Sequence, residues 1–238
     1  MSENCKAFLP PVPYSPTSLE KIKSFNSLPA SQKVGSYWDN LDDTLLSDLK
    51  KEIKQHYLAA QDFRCAYCKQ RLEVKHGGTW DTDHIIPKDS HPQFMFEPEN
   101  LCVSCKDCNS IKSNKAVLKR QNRKRFTRTG NDYLICHPHF HNYEAHIRVI
   151  REASLYLPKT PEGIKLIEIC GLLRFILKFA NHDYNDENIG AQVLEISTEL
   201  AACRDPSEKL VLMNIIRTLV DEGLRKAALA AIKSRTAK

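Results

Sequence analysis

Two Cys-x-x-Cys pairs, Cys65-Ala-Tyr-Cys68 and Cys105-Lys-Asp-Cys108, stand 36 residues apart in a chain that holds nine cysteines. A two-residue turn brings both sulfurs of such a pair to one side. Two pairs then supply the four thiolates of a tetrahedral structural Zn2+ site. Cys102-Val-Ser-Cys105 is a third Cys-x-x-Cys, but Leu101-Cys102-Val103 is apolar and reads as a strand packed on the core. The expected ligands are therefore Cys65, Cys68, Cys105 and Cys108, one zinc per chain. A small, turn-rich block with little apolar surface needs such a staple, and structural zinc contributes about 10–16 kcal/mol in isolated finger peptides.

Between and within the pairs lie Asp81-Thr82-Asp83-His84-Ile85-Ile86-Pro87, Glu99-Asn100-Leu101 and Cys108-Asn109-Ser110-Ile111-Lys112. Phosphodiester hydrolysis requires a deprotonated water and charge compensation at the leaving oxygen. A neutral imidazole accepts a proton near pH 7, and His84 is the candidate general base. A hard cation such as Mg2+ or Mn2+ takes carboxylate and amide oxygens plus waters, and Asp83 and Asn109 offer one oxygen each. Neighbours in a strand face opposite ways, so Asp83 and His84 serve one site only where the strand ends. Ile85-Ile86-Pro87 is consistent with that break. Asp81 shares Asp83's face and either assists through the metal's waters or is merely solvated.

Residues 65–115 resemble the HNH endonucleases in the pattern D-H-I-x-P, then N-L, then C-x-x-C-N-x-x-K. Asn109 stands where the family's final histidine gives the name, an H-N-N version that keeps a metal-ligating side chain. The resemblance implies a ββα-metal fold, with DNA as the usual substrate and one strand nicked per active site. It also implies a structural Asn100 that hydrogen-bonds across the loop and orients the imidazole. Stand-alone HNH proteins with helical extensions often belong to restriction or phage-defence systems, so this chain could be the nuclease subunit of one. The contrasting reading is a non-catalytic zinc-knuckle module that binds nucleic acid or protein. Such a module has no need for a base beside a metal carboxylate, so His84 and Asp83 discriminate.

Charge adds a footprint for a polyanion. Residues 106–128 carry nine Lys or Arg against Asp107, a local +8, whereas the whole chain is +6. Lys112 is near enough to the motif to touch a scissile strand. Lys115, Lys119, Arg120, Arg123, Lys124 and Arg125 are the expected phosphate contacts. These residues do not separate DNA from RNA. The histidines His137, His139, His141 and His146 suggest a second metal less well than they suggest structural roles, because no acid or cysteine is spaced with them as a set.

The elements that must position these groups follow from periodicity and punctuation. Residues 1–36 hold five of the twelve prolines and read as an extended arm or loose wrap. Leu45, Leu49, Ile53 and Tyr57 mark an amphipathic helix over 42–61. Runs 71–75 and 79–83 around Gly77-Gly78 suggest a hairpin, and 109–125, free of Gly and Pro, a helix. Helices are expected over 161–180, 187–203 and 206–233, the last with Asp205 as N-cap and Pro206 at the first position. The fold class is α+β: a zinc-stapled ββα-metal core embedded in a mostly helical chain. The expected divisions are an arm and helix (1–61), a nuclease core (62–130) and a helical region (131–238) through which a partner or second copy could bind. No apolar run reaches a bilayer-spanning length and no signal peptide is recognisable, so no membrane is expected and a cytoplasmic location follows by default.

Overall fold

The computed structural model describes residues 8–72, 77–150, 155–175 and 187–236. It mixes α and β structure in two compact units. The first comprises residues 1–146 and 160–172, the second 147–159 and 173–238. Among the described residues, no helix is long and apolar enough to cross a membrane.

In the first unit the N-terminal segment is more than a loose wrap. Helix α1, Pro16–Asn26, starts on Ser15, whose side chain accepts from Ser18 N, and buries Ile22 and Phe25. A Ser cap followed by Pro at the first helical position is a strong start signal, and the many neighbouring prolines obscured it. Phe25 packs against Tyr37 and, edge-on, Phe96. Helix α2, Thr44–Ala60, is capped by Asp43 and buries Leu46, Leu49, Ile53 and Tyr57. The buried stripe begins at Leu46, while Leu45 is exposed. Tyr57 ties both flanks together: its hydroxyl accepts from Val12 N at 3.1 Å and donates to Pro98 O at 2.5 Å.

Strand β1, Trp80–His84, pairs antiparallel with β2, Leu101–Cys105, in the register Trp80↔Cys105 to His84↔Leu101. The hairpin expected over 71–83 is not the pairing found for β1 among the described residues. Gly77–Thr79 is a 3-10 turn, and residues 73–76 lie outside the described residues. Helix α3, Lys106–Lys112, follows β2 directly. It is far shorter than the helix expected over 109–125. Ser113 takes a positive φ of 45°, and the chain beyond runs irregularly through an isolated bridge, Leu118↔Tyr133. Tertiary pairing of Val117 and Leu118, both buried, overrides a helical propensity that no Gly or Pro opposed. A single turn, α4 (Tyr143–His146), comes later in the chain.

The second unit opens with a two-stranded sheet that periodicity did not reveal: β3, Ile147–Ile150, against β4, Leu155–Pro158. Helix α5, Pro161–Ile169, returns to the first unit and stops at Cys170, where Gly171 at φ +58° supplies the left-handed end. The helix expected over 161–180 thus ends early, and 176–186 lie outside the described residues. Helices α6, Glu187–Ala202, and α7, Pro206–Thr236, complete the second unit. Asp205 caps α7, its carboxylate accepting from Ser207 N and Glu208 N. Ile150, Leu155, Leu157, Ile196, Leu212, Ile215 and Leu219 form one core there.

Candidate active site and thiol cluster

Four sulfurs meet where the Cys65–Cys68 turn docks on the end of β2. The ligand atoms of Cys65, Cys68, Cys105 and Cys108 all lie within 4.8 Å of one another, and all four residues are buried. Gln61 fixes the docking by donating to Arg64 O and Val103 O while accepting from Val103 N. Cys105 closes β2 and Cys108 lies on the first turn of α3, so the strand-to-helix turn delivers the second pair. Cys102 points elsewhere, its Sγ 3.7 Å from the Tyr67 hydroxyl. Hydrogen bonds from Cys108, Cys65 and Cys68 pull the Cys105 thiol down, and the hydrogen bond to Cys105, first of all, pushes the Cys68 and Cys108 thiols up. Four crowded thiols cannot all ionise without a cation among them, and a buried four-sulfur set fits tetrahedral Zn2+.

Beside this cluster opens a cleft of about 780 Å³, lined among others by Asp81, Asp83, His84 and Asn109. Asp81 and Asp83 share one face of β1, the face toward α3. Asn109 Nδ2 donates to Asp81 Oδ2 at 3.0 Å. Asp83, only 6 % exposed, accepts from the Tyr67 hydroxyl on Oδ2 and from Lys112 Nζ on Oδ1 at 3.1 Å. Burial, then the negative charge of Asp83, raises the Tyr67 phenol, which therefore stays a donor. Three oxygen-bearing side chains on one wall suit a hard cation better than a soft one.

His84 ends β1 on the other face of the strand. Its Nε2 lies 3.1 Å from Met95 O. A carbonyl only accepts, so Nε2 carries the proton and the lone pair of Nδ1 is left over. Trp38 abuts the ring edge-on at 4.6 Å. Burial first, then the charges of Lys112 and Lys88, push His84 down to about 3, which keeps the ring neutral. Asn100, fully buried, pins the chain that carries Met95. It accepts from Ile86 N through Oδ1 at 2.7 Å and donates to Ile86 O and Phe94 O, while Ile85 N bonds its carbonyl. The end of β1 at His84 lets residues from both strand faces line one cleft.

Lys112 is not at the surface. It is 1 % exposed and donates inward to Asp83 and to His84 O at 2.8 Å, out of reach of an incoming strand. Lys115, Lys119, Arg120, Arg123, Lys124 and Arg125 are absent from the cleft's lining. Three of them have partners: Lys115 donates to Ile169 O, Lys119 pairs with Glu162 and Arg123 with Asp132. The cations that do line the cleft are Lys50, Lys51, Lys54 and Lys88. Together with Tyr67 and Trp38 they are the groups that spacing arguments missed. The only sequence signal for the α2 lysines was their place along one flank of the apolar stripe.

The fold also brings Cys136 within 4.8 Å of His141 and His146, a grouping invisible in the spacing. Both rings already make hydrogen bonds: His141 Nδ1 accepts from His137 N, and His146 Nδ1 lies 2.6 Å from Thr160 Oγ1. With Nδ1 of His141 an acceptor, its proton sits on Nε2, which suits a structural role better than a ligand's.

Comparison with known proteins agrees with this geometry. The chain is 35 % identical over 63 residues to Septu protein PtuB of Bacillus thuringiensis, covering 26 % of this chain. It thus spans about a quarter of that relative's length, 24 %. No solved structure matches the chain. The family model described as HNH endonuclease matches from Cys65 to Lys115, a stretch that holds the thiol cluster and, in the cleft, Asp81, Asp83, His84 and Asn109. By that match, residues 65–115 are similar to an HNH endonuclease domain.

Proposed function

We propose that the protein is a metal-dependent endonuclease that hydrolyses phosphodiester bonds in DNA, with His84 as general base. The observation that carries this reading is the commitment of His84 Nε2–H to Met95 O, which leaves Nδ1 as a proton acceptor in a cleft shared with Asp81, Asp83 and Asn109. Asn100 and Trp38 hold the ring so that Nδ1 need not reorient before it accepts a proton from water. Asp83 and Asn109 would hold a Mg2+ or Mn2+ ion, with Asp81 beside them. When bound, that ion supplies charge compensation at the scissile phosphate. Lys112 and Tyr67 keep the Asp83 carboxylate fixed.

Cys65, Cys68, Cys105 and Cys108 would hold one structural Zn2+. The resulting core is a zinc-stapled ββα-metal domain, made of β1, β2 and α3. Service as the nuclease subunit of a restriction or phage-defence system is part of the proposal, supported by the resemblance of residues 65–115 and by the likeness to a Septu protein. The test is cleavage of supercoiled plasmid before and after EDTA treatment and Mg2+ or Mn2+ addition. Activity that is lost with chelation and restored by the added ion is the expected result. No cleavage under any metal overturns the reading in favour of a non-catalytic zinc-knuckle module.

A further inference from the structure

We propose that Lys50, Lys51 and Lys54 of α2 form the strip that grips the phosphodiester backbone of the substrate strand and lays it across His84. The inference rests on the nuclease reading only for the word substrate; the binding site itself follows from the cleft. Ser47, Lys50, Lys51 and Lys54 line it at positions i, i+3, i+4 and i+7 of one helix face, flanking the buried stripe of Leu46, Leu49, Ile53 and Tyr57. The core therefore fixes the direction in which that face looks. Lys50 is preorganised, its Nζ donating to Trp38 O at 2.8 Å and lying 5.4 Å from the Trp38 ring centroid. Trp38 in turn touches His84. One side chain thus separates the strip from the proposed base.

The charge pattern of the cleft gives the strip its direction. Asp81 and Asp83 on the β1 wall would face the cation, and α2 supplies the ammonium groups for the flanking phosphates. Lys88 is already matched by Asp39 at 2.9 Å, Asp89 at 3.3 Å and Gly35 O. Lys50 has a neutral acceptor in Trp38 O. Among the described residues Lys51 pairs with Asp48, itself exposed, and exposed ion pairs are worth under about 1 kcal/mol, so that pair yields to a phosphate. The 113–128 segment, despite its higher density of cations, gives Arg123 to Asp132 and Arg128 to Glu97 and Glu99.

The experiment compares two triple variants in the His84→Ala background, where binding is read without cleavage. One is K50Q/K51Q/K54Q, which keeps a hydrogen-bond donor at each position. The other is R120Q/K124Q/R125Q. Anisotropy of a short labelled duplex DNA is followed across salt concentrations. Loss of three phosphate contacts lowers the log-log salt slope by about 2–3 and weakens binding on the order of 10²-fold at 0.1 M salt. This is expected for the α2 triple and not for the other. Duplex should also change the fluorescence of Trp38 and Trp80, which line the same cleft, and the α2 triple should blunt that change. Unaltered affinity and slope in the α2 triple, or a loss found only in R120Q/K124Q/R125Q, overturns the proposal. Should the α2 triple fail to fold, the tryptophan response of the otherwise unaltered His84→Ala protein decides alone: a saturable change supports the strip and none refutes it. Failure of the nuclease reading is seen separately, as absence of wild-type cleavage.

Discussion

Replacing Lys112 by Met removes a buried ammonium and leaves Asp83 with the Tyr67 hydroxyl as its one remaining partner described above. The ion pair is 3.1 Å long, with its two residues 1 % and 6 % exposed, and the same ammonium satisfies His84 O. Breaking such a pair from one side costs about 3–5 kcal/mol, because the stranded charge stays desolvated. With a urea m-value of about 2 kcal/mol/M, the unfolding midpoint should fall by about 1.5–2.5 M. Tryptophan fluorescence reads this unit cleanly, since the chain has two tryptophans and both, Trp38 and Trp80, are buried in the first unit. The double variant Asp83→Asn/Lys112→Met should cost less than the sum of the single changes, since neither charge is then stranded. A midpoint shift below about 0.5 M, roughly 1 kcal/mol on that m-value, would refute the reasoning. So would strict additivity of the two substitutions.

Purified protein should carry about one zinc per chain, with Cys105→Ser losing it together with solubility and Cys102→Ser retaining both; elemental analysis of the variants decides, and zinc retained by Cys105→Ser contradicts the ligand set. His137 and His139 are buried, and burial first of all pushes both imidazoles below their ordinary value. Each folded-state pKa lies under the unfolded one, near 6.5, so stability is complete above about pH 6.5 and declines as pH falls below it, by up to about 1.4 kcal/mol per pH unit for each ring. Urea midpoints measured between pH 7.5 and 5, before most carboxylates protonate, should therefore drop. A flat profile would show that these rings titrate alike in both states. Arg123→Ala should destabilise through the loss of its partner Asp132 and leave DNA affinity unchanged; the reverse pattern, seen in the same urea and anisotropy assays, contradicts the local pairing.

What the sequence made legible was local. The four cysteines that converge were identifiable because chelation by Cys-x-x-Cys depends on a turn of fixed length. Cys102 could be set aside because Leu101 and Val103 mark a strand. His84, Asp83, Asn100 and Asn109 stood out for the same reason: the motif spacing is the geometry. Helix α7 was readable from Asp205 and Pro206. Most of the misses were tertiary, although α1 and the end of α5 carried local signals in Ser15, Pro16 and Gly171. Ser113 ends α3 because Val117 and Leu118 are drawn into pairing with the 133–134 segment, which no neighbour in sequence announces. Gly171 was an available stop signal for α5 that the apolar neighbours Ile169, Cys170, Leu172 and Leu173 concealed. Three of the cleft's four lysines lie on α2, thirty residues or so before the motif, and only packing of the adjoining apolar stripe turns them toward it. Part of the cation run is met by acids from distant segments, Lys119 by Glu162, Arg123 by Asp132 and Arg128 by Glu97 and Glu99, while Arg120, Lys124 and Arg125 stay exposed.

The central claim is that His84 accepts the proton from the attacking water, and single-turnover cleavage of plasmid by His84→Ala tests it most directly. At saturating Mg2+ or Mn2+, with zinc content, urea midpoint and DNA affinity matched to wild type, the rate should fall by about 10²–10⁴-fold. Full cleavage by His84→Ala under those matched conditions would contradict the account.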